Sequence, residues 1–411
     1  MTPRERAGSA RNGAAHDGPA DNGSGRGHLV GPGAGTTTPW HAADGAPLRA
    51  DTADTLTDGE RRWPVVASIP WLRAGRDDVR ERAVAALDAG DPDGAAVVLL
   101  ADADDWWDEP SPPSAQLHAA LRAGTLTDAV ELLGLGRVGT YFRHRWSDPS
   151  WLASLALTAA HPPAGRPVVD LACGAGHLLR HLALHGHRDL VGVDVVFAKL
   201  WLARQFVLPH GAPVALVCAD LTAPWPLPPP ERPRHVACHD ALYFLPAKQA
   251  FVAAARMHAG DGGAVLLGHC HNALHPAGAT GLPLDPDAWA ALLPGAYCYA
   301  EEALTAATVA VRAPRPAQPA ECGDTEALGL ALDGAAEHPD LTLLGPAPGT
   351  ALRLNPLYGT ADEPRARRWP HERWAAEYGP RAATYLPERW EPLPMPEAVG
   401  RRLLLDLPER W

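Results

Sequence analysis

The chain has 411 residues, enough for two or three average domains and more than one sheet-and-helix core requires. Its formal net charge of −12 argues against nucleic acid as a partner, because a protein that grips phosphates presents a basic face. No run is apolar enough to span a membrane, and the N-terminus lacks the apolar core of a secretion signal. The six cysteines include no C-x-x-C pair, which suits reduced, buried thiols and a cytoplasmic setting.

Residues 1–46 are poor in large apolar side chains and rich in Gly and Pro, so a disordered tail is expected. Residues 47–76 read as a small extended segment, with Trp63 and Trp71 as anchors. Residues 77–165 turn helical. Val79, Ala83, Val84 and Leu87 recur at helical spacing, and Gly90-Asp91-Pro92 stops that helix. Further helices are expected near 94–101, 114–123, 127–133 and 151–159, the whole packing over a ligand cleft. Trp106 and Trp107 are placed at a turn or lid edge.

From 166 to 360 the pattern alternates. Strands are predicted at 167–171, 190–193, 214–218, 235–238 and 264–268, with helices at 175–185, 197–207 and 247–258. Short apolar runs separated by helices indicate parallel strands buried on both faces. Segments 341–344 and 350–354 flank a Gly-Pro-Ala-Pro-Gly turn and are expected to close the sheet as an antiparallel hairpin. Residues 361–411 are rich in Pro, Arg and Trp. They contain two hexads ending Leu-Pro-Glu-Arg-Trp, and read as an extended arm on the surface.

The chemistry concentrates in Val168-Val169-Asp170-Leu171-Ala172-Cys173-Gly174-Ala175-Gly176-His177-Leu178-Leu179. A strand ends there, turns through Gly174 and Gly176, and enters a helix. A dinucleotide site would use G-x-G-x-x-G with a small last residue, where this chain has Leu179. Asp170 would repel a pyrophosphate and suits a cationic ligand. Asp194 ends the second strand, where a carboxylate can hold ribose hydroxyls. Asp220 ends the third strand, positioned with the Leu221 amide to meet an adenine, and Asp240 ends the fourth.

This pattern resembles the class I S-adenosylmethionine-dependent methyltransferases over about 167–272, and more loosely to 358. The resemblance implies an α/β, Rossmann-like, mostly parallel sheet with a helical N-terminal region. It implies S-adenosylmethionine as cofactor, with Asp170, Cys173, Gly174 and Gly176 around the methionyl end. Asp194 would then hold ribose, Asp220 with Leu221 would hold adenine, and Asp240 would complete the lining. Tyr141-Phe142-Arg143-His144-Arg145-Trp146 resembles the aromatic segment that closes over the cofactor in small-molecule methyltransferases, making Tyr141 and Arg143 lid candidates. Arg62 to Leu72 resembles the last strand of a zinc ribbon found ahead of some bacterial methyltransferase domains. It lacks the cysteine pairs, so it would be a metal-free remnant.

Methyl transfer needs a general base only if the acceptor holds its proton. Candidates follow the fourth and fifth strands: His239, Asp240, Tyr243, His269, His271 and His275, with His271 or His239 favoured as base. His269, His271 and His275 have no recognised ligand spacing, so no metal is expected. Neither an Asp- or Asn-Pro-Pro-aromatic run nor a Pro-Cys nucleophile occurs. Together with the acidic charge, this points to a small-molecule acceptor. The alternatives are a non-catalytic protein that binds the cofactor, or an RNA- or protein-directed methyltransferase.

Overall fold

The computed structural model describes residues 37–104, 110–222, 224–276, 281–333, 338–359 and 365–411. All of these belong to one unit, 32–411. Trp106 and Trp107 lie outside the described residues, as does 1–36 of the expected tail.

The tail expectation reaches too far. Strand β1 (Thr37–His41) lies inside it and opens a five-stranded antiparallel sheet with β2 (Pro47–Ala50), β3 (Thr55–Thr57), β4 (Arg62–Val66) and β5 (Ile69–Pro70), paired in chain order. Trp40, Leu48, Leu56 and Trp63 are buried in one apolar cluster with Val169, Val193 and Val217 of the larger sheet. Arg62 ties Asp51 to Asp88 across this sheet's edge and α1. The Leu72 amide donates to the Cys218 carbonyl at 2.7 Å, docking this sheet on the larger one.

Six helices follow: α1 (Asp77–Asp88), α2 (Pro92–Leu100), α3 (Ser114–Ala120), α4 (Leu126–Leu132), α5 (Gly136–His144) and α6 (Pro149–Ala160). Asp148 caps α6 by accepting the Trp151 amide at 2.7 Å, and Pro149 occupies the first turn. Every residue of α6 is buried, as its nearly unbroken apolar sequence demands.

The central sheet contains β6 (Val168–Leu171), β7 (Leu190–Asp194), β8 (Val214–Cys218), β9 (His235–His239), β10 (Ala264–His271), β11 (Tyr297–Ala300) and β12 (Ala327–Asp333), ordered β11-β12-β10-β9-β6-β7-β8. The five strands β6 to β10 are parallel, and β12 runs antiparallel between β10 and β11. Helices α7 (His177–Leu184), α8 (Phe197–Leu202), α9 (Lys248–Ala259), α10 (Pro286–Leu292) and α11 (Glu301–Val309) accompany these strands. Strand order reverses between β6 and β9, and at such a point a crevice opens beyond the carboxyl ends of the strands. This is the Rossmann-like, mostly parallel sheet expected from the sequence.

Two expectations are corrected here. The antiparallel closure is made by β11 and β12, not by 341–354. Leu341–Leu344 is a single 3-10 turn, and β13 (Arg353–Leu354) pairs instead with β14 (Leu404–Leu405). The Ala, Gly and Leu of β12 carry little β-branched character, so its strand signal is weak. The C-terminal segment is not an extended arm. It forms α12 (Glu372–Ala382) and α13 (Met395–Gly400), and buries Tyr378, Tyr385, Leu386, Leu403 and Leu405. Tyr378 and Ala382 stand one helical turn apart, and the Tyr385 hydroxyl donates to the Ser147 carbonyl at 2.8 Å. Among the described residues no helix is long and apolar enough to cross a membrane.

Candidate functional site

Beyond β6 the backbone turns through Ala172, Gly174 and Gly176 at φ of 53°, 56° and 76° before entering α7. Asp194, at the end of β7, closes on this turn. Its Oδ2 accepts the Gly174 amide at 2.9 Å and its Oδ1 accepts the Val196 amide at 2.9 Å, with Lys199 Nζ 3.5 Å away. Asp170 is buried beside it. Burial and the like charge of Asp194 push its carboxyl up to about 8. Cys173 packs its thiol beside Gly192 of β7, and burial pushes that thiol well up. Asp170, Cys173, Gly174, Gly176 and Asp194 thus meet around one turn.

Asp220 stands just beyond β8, where it accepts both the amide and the hydroxyl of Thr222 at 2.7 Å. Leu221 lines an apolar cavity of about 350 Å³ with Trp225, Phe251 and His258.

Asp240, just past β9, is tied into the protein. Its Oδ2 accepts from the Tyr141 hydroxyl at 2.5 Å, Arg145 at 3.0 Å and the Ser150 hydroxyl at 3.3 Å. Its Oδ1 accepts from the Tyr243 hydroxyl at 2.7 Å. His269 and Arg145 hold the Asp240 carboxyl well below the usual range despite its burial. Tyr141 therefore reaches the site.

Arg143 does not. Its guanidinium lies 3.5 Å from Glu131 and over the Trp411 ring. Residues two apart on a helix face different ways, whereas residues four apart share a face. The cation on the Tyr141 face is accordingly Arg145, buried and bonded also to Asp148.

Beyond Asp240 lies a network that sequence reasoning only partly anticipated. The register of β10 shifts between Leu267 and Cys270, with His269 at φ 55°. Asp240 is also left-handed, at φ 60°. Non-glycine residues so held cost about 1–3 kcal/mol each and concentrate at functional sites. His269 Nδ1 donates to Glu301 Oε2 at 2.6 Å, and its Nε2 lies 3.6 Å from Asp240 Oδ1. Although burial opposes it, Glu301 and Asp240 push His269 up to about 9.

Arg381, from α12, bonds Glu301 and also reaches Glu326 at 3.1 Å. His271 packs its ring 4.6 Å from that of His269 and 4.3 Å from that of Tyr243. Burial pushes both His271 and His239 down to about 3, leaving them neutral. His239 fits because its neighbour in β10 is Gly268, where a Cβ would sit 2.1 Å from His239 Nδ1. Glu301, Glu326, Arg381 and Arg145 went unnoticed in the sequence. Only the paired Glu301-Glu302 opening a helix offered a local cue, and that pattern equally serves the helix dipole.

Residues 168–263 match the family model described as a methyltransferase domain. The chain carries a methyltransferase domain of the class I, S-adenosylmethionine-dependent kind. No curated protein matches the sequence significantly. Among solved structures, an S-adenosylmethionine-dependent methyltransferase from Mesorhizobium loti is 23% identical, with 31% of this chain and 56% of that one covered at a TM-score of 0.27. The CcbJ methyltransferase of Streptomyces caelestis is 25% identical, with 32% and 53% covered at 0.27. A TehB-like methyltransferase from Corynebacterium glutamicum is 15% identical, with 44% and 85% covered at 0.31. The chain thus spans little more than half the length of the first two.

The methyltransferase domain has residues that fit S-adenosylmethionine. Asp170, buried and short of positive charge, offers a counter-ion to an ammonium group. The positive-φ turn at Gly174 and Gly176 lets backbone approach a ligand.

Proposed function

We propose that the protein transfers a methyl group from S-adenosylmethionine to a small-molecule acceptor, and that it works in the cytoplasm. The observation that carries this reading is the placement of the Asp240–His269 network. It lies at the carboxyl ends of β9 and β10, beside the glycine turn and beneath α5 and α12. Asp240, His269 and His271 are withdrawn from solvent, which suits an enclosed small acceptor better than a polymer. The charge of −12 points the same way, and six buried free cysteines support a reducing compartment.

The bound cofactor supplies an electrophilic methyl group on a sulfonium. In this reading Asp170 and the turn through Gly174 and Gly176 hold its methionyl end, Asp194 its ribose, and Asp220 with Leu221 its adenine. Cys173 backs the turn. Tyr141 closes over the site by its bond to Asp240, and Trp374 packs on its ring. Excluding water and aligning the acceptor supply much of the rate. His239, neutral and at the end of β9 beside Asp240, is the first candidate to take the acceptor's proton on a ring nitrogen. His271 is the second candidate, being neutral and adjacent. His269, held between two carboxylates, positions the network.

Calorimetric titration tests this reading, with S-adenosylmethionine and the nicotinamide dinucleotides as separate ligands. Binding of the first alone, lost in Asp194→Ala with the fold intact, supports the reading. Absence of binding to S-adenosylmethionine overturns it.

A further inference from the structure

The two histidines that end β10 share a feature that goes beyond their parts in the transfer reading. His269 and His271 are both buried, and His269 Nε2 and His271 Nδ1 have no hydrogen-bond partner among the described residues. Burying polar nitrogens unpaired is costly. A third donor stands with them: His269, His271 and Glu326 offer ligand atoms that all lie within 4.8 Å of one another. His275, the third histidine of the sequence pattern, is not part of this group.

We infer that His269, His271 and Glu326 form a binding site for a divalent transition metal of the zinc class. The surroundings are those such a site requires. Glu301 accepts the Nδ1 proton of His269 at 2.6 Å, so the proton a metal displaces is the one on Nε2, which then becomes the ligand atom. A carboxylate behind a histidine in this way orients the ring and raises its basicity as a ligand. Arg381 holds Glu301 through its other oxygen and steadies Glu326 at 3.1 Å. Both the ligand and the orienting acid are thereby clamped from one side.

The register shift at His269 belongs to the same arrangement, since it sets the two rings 4.6 Å apart at the strand end. Two imidazoles with one carboxylate suit zinc or iron(II), whereas magnesium and calcium take all-oxygen sites. Tetrahedral ligands around zinc lie roughly 3.4 Å apart at bond lengths near 2.1 Å. The group therefore closes by up to about 1.4 Å on binding.

Three protein donors leave a coordination position open, as catalytic zinc sites do. Its use in catalysis rests on the transfer reading above, in which it receives an oxygen or nitrogen of the acceptor while His239 keeps the base role. The site itself does not depend on that reading.

The experiment uses the full chain, stripped with a chelator and titrated with zinc chloride against a chromophoric competitor, without S-adenosylmethionine. One equivalent is expected to bind. Cobalt(II) in its place is expected to give weak visible bands without the near-ultraviolet charge transfer of a thiolate. Glu326→Gln, which preserves shape, is expected to weaken binding about tenfold or more. His271→Ala should weaken it further, and Glu301→Gln about 10–100-fold. Thermal melts establish that each variant folds, and Glu326→Gln keeps the test open if His271→Ala does not. Absence of stoichiometric uptake would leave only an ion-pair network and overturn the site. Unchanged affinity in the variants, or a thiolate spectrum, would do the same. Metal uptake without cofactor binding would spare the site and remove the transfer reading.

Discussion

The ring of Phe142 lies across Gly174, so that a Cβ on that glycine would sit 3.0 Å from Phe142 Cε1. The glycine also holds a left-handed φ of 56°, where an L side chain costs about 1–2 kcal/mol. Both constraints fall on the turn assigned to the methionyl end. Gly174→Ala is therefore expected to lower stability by about 1–3 kcal/mol in urea melts. It should also abolish S-adenosylmethionine binding. A variant with wild-type affinity would move the cofactor away from this turn.

Asp170 makes binding depend on pH in a defined direction. In the free protein its carboxyl sits at about 8, raised by burial and by Asp194, so at neutral pH it is largely protonated. A ligand ammonium group favours the carboxylate and displaces that proton. Affinity for S-adenosylmethionine should thus climb as pH rises toward 8, by at most about tenfold per pH unit, with proton release. Methylthioadenosine, which lacks the amino acid, should show no such slope. Calorimetry in buffers of different ionisation enthalpy measures both. Asp170→Asn should flatten the profile and weaken binding.

How much of this was legible in the sequence depends on how local each signal is. Strands β6 to β10 are continuous apolar runs because both faces are covered, so the parallel half of the sheet could be read directly. Asp170, Gly174, Gly176 and Asp194 belong to one strand-turn-helix unit and the strand that follows it. The network behind Asp240 has no such unit. Glu301, Glu326 and Arg381 come from the start of α11, the residue before β12 and the last turn of α12. Each is an ordinary charged residue until folding brings them together. Six residues do not fix a helix phase, so the run around Tyr141 points to Arg143 as readily as to Arg145. The C-terminal helices were hidden by composition, since Pro380 sits inside α12.

His235 offers a stability prediction remote from the site. It is fully buried, and neither ring nitrogen has a partner among the described residues. Burial and Arg166 depress it to about 3. The unfolded chain binds a proton near 6.5 and the native state does not. Stability from this residue is therefore present above about 6.5 and declines as pH falls toward 3. His235→Leu removes both the unpaired polar atoms and the acid-labile term. It should raise stability by about 1–3 kcal/mol at neutral pH, and by more at lower pH. Denaturant melts across that range check it. A parallel loss of stability with acid in both proteins would clear His235 of the effect.

Arg145 is the cation that allows Asp148 and Asp240 to remain charged side by side. It is buried and lies 3.2 Å from Asp148 and 3.0 Å from Asp240. Removing one member of such a group leaves the others uncompensated, at a cost of about 3–5 kcal/mol. Arg145→Met should therefore destabilise strongly, despite similar length. One nitrogen, Nη1, meets both carboxylates; Arg145→Lys keeps the charge on a shorter side chain, and should fall between wild type and Arg145→Met. Asp240→Asn removes one of the stranded charges, so combining it with Arg145→Met should recover part of the loss. Residues that share a network couple by about 0.5–3 kcal/mol, and a double-mutant cycle in urea measures that coupling. Strict additivity would mean that Arg145 supports Asp148 alone, leaving Asp240 to the Tyr141 and Tyr243 hydroxyls and His269.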